Sequence, residues 1–92
     1  MSIQWLFDVI EDRKQNPSEQ SYTASLFREG LPKIAQKVGE EGTEVVVAAL
    51  AQDDQRLIEE VADLTYHTLV LLSARNINPE QIFAELEKRH RN

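Results

Sequence analysis

Five carboxylates fall in two short patterns, Glu40-Glu41-Gly42-Thr43-Glu44 and Glu60-Val61-Ala62-Asp63. On a helix, residues three or four apart share a face, so each pattern presents its acids as a cluster. Two such clusters on facing helices make an oxygen-rich pocket. Hard divalent cations such as Mg²⁺ take oxygen ligands of this kind, usually with a phosphate as a further ligand. The chemistry indicated is metal-assisted work on a phosphate.

The elements that must hold these acids read as helices throughout. Ser2 caps a first helix, with Ile3, Leu6, Phe7 and Ile10 at helical spacing, running to about Gln15. Asn16-Pro17-Ser18 is a loop, because proline disfavours helix in the residue before it. Residues 21–29 hold a short helical piece, closed by Gly30. Pro32 opens a long helix, from about Leu31 to Ala51, whose apolar stripe is Ile34, Ala35, Val38, Val45, Val46 and Ala49. Asp53-Asp54 is a turn and cap. A second long helix follows, from about Gln55 to Arg75, apolar almost all round at Leu64 and Leu69 to Leu72 and therefore central. Asn78-Pro79-Glu80-Gln81 starts a last helix, which runs to about His90 and buries Ile82, Phe83 and Leu86. The expected fold is all-α: one domain over residues 1–92, with four main helices and one short piece, the antiparallel bundle completed by a second copy of the chain.

Projected at about 100° per residue, Lys33, Lys37, Glu40, Glu41 and Glu44 form a stripe beside the apolar one. Arg56, Glu60, Asp63 and His67 make a narrow line on the second long helix. Counting outward from Asp53, Glu44 lies nine residues back and Glu60 seven forward; Glu41 lies twelve back and Asp63 ten forward. At about 1.5 Å of rise per residue, each pair stands level across an antiparallel hairpin. Partly buried carboxylates repel one another unless something positive sits between them, and a metal ion supplies that charge. A plainer account leaves the acids as solvated faces paired with Lys33, Lys37 and Arg56, each pair contributing about 0–1 kcal/mol. Lys33 and Lys37 are candidates to meet phosphates. Ser21, Tyr22, Thr23 and Arg28 precede the site helix and are candidates for a lid over it or, on the resemblance described below, for a ribose or phosphate contact. His67 is either a hydrogen-bonded core residue or a base. Gly42, mid-helix, costs about 0.5–1 kcal/mol relative to alanine.

Composition narrows the class. The net charge of −6 argues against a nucleic-acid binder. There is no cysteine, which removes disulfides and thiolate metal sites. No apolar run approaches the roughly 20 residues that span a bilayer, and the start of the chain lacks the basic region of a signal peptide. A soluble, cytoplasmic protein without a membrane partner is expected.

The two acidic patterns, with fifteen residues between them, resemble those of the all-α nucleotide pyrophosphohydrolases of the MazG-like superfamily. Ser21-Tyr22-Thr23, Gly30-Leu31, Lys33-Ile34-Ala35-Gln36-Lys37-Val38-Gly39-Glu40-Glu41, Ala62-Asp63-Leu64 and Tyr66-His67 are more specific, and resemble the phosphoribosyl-ATP pyrophosphatases of histidine biosynthesis. The resemblance runs from about Trp5 to His90. It implies hydrolysis of phosphoribosyl-ATP to phosphoribosyl-AMP and pyrophosphate with Mg²⁺; with the chain ending at Asn92 the stand-alone form is expected, and the apolar central helix leads to the expectation of a homodimer. The resemblance matches Glu41, Glu44, Glu60 and Asp63 to metal ligands, and Glu40 to an acid that orients the attacking water or holds a second metal, so that Glu40 and Glu41 carry the catalysis. Two rivals remain at this point: a housekeeping nucleoside triphosphate pyrophosphohydrolase with the same metal core, and a non-enzymatic helical dimerisation module.

Overall fold

Five helices account for nearly all of the chain in the computed structural model, which describes residues 1–91. They are α1 (Ile3–Gln15), α2 (Tyr22–Glu29), α3 (Leu31–Ala51), α4 (Asp54–Ala74) and α5 (Pro79–Arg89). Among the described residues there is no strand.

Each start has a local chemical reason. The side chains of Ser2, Ser21 and Asp53 accept hydrogen bonds from the backbone N–H groups of Trp5, Ala24 and Arg56, satisfying donors that a helix start leaves open. Asn78 and Gln81 form a reciprocal capping box, with Pro79 in the first turn. Gly30 ends α2 and begins α3 in a single residue. Its φ of 92° lies in the left-handed region that favours glycine. The piece expected over residues 21–29 is thus a true two-turn helix, separated from α3 by one elbow.

Helices α3 and α4 form the antiparallel hairpin that the two-residue link demands, packed along most of their length. Helix α1 lies against α4 and α2, and α2 lies against α3. The core is small: Phe7, Ile10, Leu26, Ile34, Leu69 and Val70, with Leu6, Phe27, Tyr66, Leu71 and Leu72 packed around it. A polar clamp ties α1 to the end of α4. Fully buried Ser73 donates to Glu11 Oε1 at 2.9 Å. The Lys14 ammonium donates to the Ser73 carbonyl at 2.8 Å and stands 3.2 Å from Glu11.

Two expectations are corrected. The inward face of α3 runs through Ile34, Val38, Glu41, Val45 and Ala48, while Ala35, Val46 and Ala49 are exposed. Steps of four, three, four and three keep one line facing α4, and that line has an acid at its centre. Helix α5 does not bury Ile82, Phe83 and Leu86, which are exposed; only its Pro79 is buried. The helix touches the rest of the described residues chiefly through α1, and Ile82 and Phe83 border an open apolar groove against Leu64, Leu69 and Leu72 of α4.

Candidate metal and substrate site

Glu41 and Glu60 are 6% and 4% exposed, on facing helices. Asp63, one turn beyond Glu60, is exposed. One carboxylate oxygen from each of the three lies within 4.8 Å of the others. The hairpin register brings these three acids together, as their distances from Asp53 in the sequence require.

Each buried acid has one oxygen held and one left over. The Lys37 ammonium stands 3.6 Å from Glu41 Oε1, and the Arg56 guanidinium 2.5 Å from Glu60 Oε1. Oε2 of Glu41 and Oε2 of Glu60 are both buried with no hydrogen-bond partner. An unpaired buried polar group costs about 1–3 kcal/mol, and more when charged. An all-oxygen donor set with two buried, unpartnered oxygens fits a hard divalent cation.

Glu44 is exposed and stands outside this three-way cluster, yet it touches it through Glu60. The neighbouring Glu44 carboxyl, then burial, hold the Glu60 pKa above its usual value, while Arg56 pulls the other way. Glu44, Arg56 and Glu60, with Val47 and Gln52, line a cavity of about 260 Å³ at the turn end of the hairpin. Glu40 is exposed and accepts a hydrogen bond from Gln36 at 2.8 Å. It neighbours Glu41 along the chain, and its charge acts on Lys37.

Lys37 joins the acids to α2. Burial works to lower its pKa, but Tyr22, Glu41 and Glu40 outweigh that effect and raise it. The Tyr22 hydroxyl is 3.0 Å from His67 Nε2, and His67 Nδ1 is 2.7 Å from the Asp63 carbonyl. A carbonyl only accepts, so Nδ1 carries the proton and Nε2 accepts from Tyr22. His67 is therefore a buried, fully bonded link between α2 and α4. Next to it Thr23 hydrogen-bonds the Tyr66 hydroxyl, whose pKa is raised by burial. Ser21 caps α2, Lys33 is half-buried on the first turn of α3, and Arg28 is exposed on the last turn of α2.

One feature of this site was not drawn from the pattern of the chain: the depth of Glu41, although the four-three spacing through Ile34 and Ala48 passes through it. The pairing of Arg56 with an acid belongs to the plainer account given above, and Arg56 is indeed on Glu60.

Comparison with known proteins then places the chain. Residues 4–90 match the family described as phosphoribosyl-ATP pyrophosphohydrolase. The chain belongs to the phosphoribosyl-ATP pyrophosphohydrolase family. A relative from Clostridium botulinum named phosphoribosyl-ATP pyrophosphatase is 53% identical over 87 residues, covering 95% of this chain and 79% of the relative. One of the same name from Lacticaseibacillus casei is 56% identical over 88 residues, 96% and 80% of the two chains. Another from Sulfolobus acidocaldarius is 46% identical over 87 residues, 95% and 92%. Both acidic patterns and the Ser21-Tyr22-Thr23 segment of this phosphoribosyl-ATP pyrophosphohydrolase family member lie inside the matched span.

Proposed function

We propose that the chain, acting as one domain over residues 1–92, hydrolyses phosphoribosyl-ATP to phosphoribosyl-AMP and pyrophosphate, the second step of histidine biosynthesis in the cytoplasm. Mg²⁺ is held by Glu41, Glu44, Glu60 and Asp63. The observation that carries this reading is the pair of buried, unpartnered carboxylate oxygens on facing helices, in a chain of this family.

Bound there, Mg²⁺ supplies positive charge against the phosphate oxygens and acidifies water. The protein's own groups do the rest. Glu40, solvent-facing beside Glu41, orients the attacking water and takes its proton. Lys33 and Lys37 meet the phosphate charge that a protein of net charge −6 would otherwise repel. Ser21, Tyr22 and Thr23 face the substrate's ribose and phosphate from α2, with Arg28 behind them. His67 fixes where the Tyr22 hydroxyl stands.

Two copies complete the assembly. The surface of the single chain is 6435 Å². A compact monomer of 10.6 kDa would expose about 5,500 Å². The excess, of order 1,000 Å², is close to the roughly 800 Å² that each partner contributes to a standard interface. Val46, Val47, Leu50, Ile58 and Val61 are exposed on the hairpin, and Ile82, Phe83 and Leu86 on α5. Exposed apolar residues in this number fit a face covered by a second copy.

Pyrophosphate release from phosphoribosyl-ATP, measured with and without magnesium, tests the activity. Magnesium-dependent release is expected, with weaker turnover on a panel of deoxynucleoside triphosphates. No release from phosphoribosyl-ATP, or stronger turnover on the panel, rejects the assignment.

A further inference from the structure

Arg56 sits where a helix gains least from it. It occupies the first turn of α4, where the positive end of the helix dipole disfavours a cation. It precedes Glu60 by four residues, the less stabilising order for an ion pair on a helix. Yet it is held at three points. The Asp53 side chain accepts from its backbone N–H at 2.9 Å, Nη1 donates to Glu59 at 2.6 Å, and Nη2 donates to Glu60 Oε1 at 2.5 Å. Glu60 is 4% exposed, and its other oxygen is buried and unpartnered. A carboxylate with one oxygen pinned by a planar guanidinium cannot turn about its own axis without breaking a short charge-assisted bond. Lys37 stands in the same relation to Glu41 on α3, also four residues before it, but at 3.6 Å. The α4 arm is the tighter of the two.

We propose that Arg56 is a positioning residue for the candidate cation site: by holding Oε1 of Glu60 it sets the free Oε2 for a divalent cation. Its role is to remain on Glu60 when the cation enters, neither competing for the carboxylate nor leaving it. The inference rests on the metal reading above and goes beyond it, since Arg56 is neither a ligand nor a group in contact with substrate there.

Calorimetric titration of magnesium chloride into wild-type, Arg56→Gln and Arg56→Lys protein, with melting of each in the absence of cation, tests it. Arg56→Gln is expected to bind Mg²⁺ roughly tenfold more weakly, the lower end of what loss of an outer partner of a ligand costs. Arg56→Lys keeps the charge but not the fork and should recover part of that loss. An arginine with a merely structural role would lower the melting temperature and leave the affinity alone. Unchanged affinity in Arg56→Gln overturns the inference. So does tighter binding, which would make the guanidinium a competitor for Glu60. If Arg56→Gln fails to fold, Arg56→Lys decides, and wild-type affinity in that variant overturns it. A wild-type protein that takes up no Mg²⁺ removes the metal reading, and this inference with it. Uptake by wild type with an unaffected Arg56→Gln removes this inference alone.

Discussion

Glu60 carries two opposing influences, Glu44 on one side and Arg56 on the other, and the first prevails. A carboxyl whose folded pKa is raised binds its proton more tightly folded than unfolded. The stability it contributes is therefore complete below its ordinary value of 4.5 and lost as pH rises through the raised folded value. Melting the cation-free protein at pH 4.5 and pH 8 should show a decline assignable to this group, and Glu44→Gln should flatten it. A cation at the proposed site would compete with protonation of Glu60, so Mg²⁺ affinity should rise with pH. An equal magnesium-induced rise in melting temperature at pH 5 and pH 8 would contradict this. At the same scale, Asp63→Asn keeps size and hydrogen bonding but removes a ligand charge. Turnover should fall at least about 100-fold, since even outer partners of a metal ligand cost 10–100-fold. The helical circular dichroism should be unchanged, because Asp63 is exposed. Wild-type turnover in that variant would remove Asp63 from the site.

At the scale of elements, helix starts were the most legible feature. Ser2, Asp53 and Asn78 cap as their residue types and neighbours imply, because capping is a local hydrogen bond that needs no tertiary knowledge. The level of the acids across the hairpin was legible for a similar reason: rise per residue and a short turn suffice. Which stripe faces inward was not. Val46 and Ala49 are as apolar as Val45 and Ala48, and only packing against α4 separates them. The tie between α2 and α4 was likewise invisible, since Tyr22 and His67 are 45 residues apart and meet only in the fold. That tie predicts a cost. Tyr22→Phe leaves buried His67 Nε2 without its donor, which should destabilise the protein by about 1–3 kcal/mol by chemical denaturation. Where the Tyr22 hydroxyl also meets substrate, KM rises with it; an unaltered KM would confine Tyr22 to holding α2 in place.

For the whole molecule, one copy of this chain is looser than its length warrants. The radius of gyration is 14.4 Å, against about 12 Å for a compact domain of this size. Most of the large apolar residues left exposed fall on α3, α4 and α5, with Ile3 and Trp5 on α1 and Tyr22 on α2 besides. The sequence led to the expectation of a bundle completed by a second copy, and the proposed dimer would cover the apolar faces that one copy leaves exposed. Phe83→Asp should therefore shift the sedimentation of the protein toward the monomer, while a wild type already monomeric at micromolar concentration would refute the assembly. The seam of α3 has one further consequence. Glu41 occupies a place where a hydrocarbon would pack against α4, so folding and the proposed metal role make opposite demands on one residue. Replacing buried charge by a well-fitting apolar side chain is often neutral or favourable where no partner charge is left buried, and Lys37, a quarter exposed, can turn to water. Glu41→Met should thus abolish turnover yet leave the cation-free protein as heat-resistant as before or more so, by about 4–8 °C for each kcal/mol gained. Selection for thermal endurance alone, with the reaction left unmonitored, would wear this acid away.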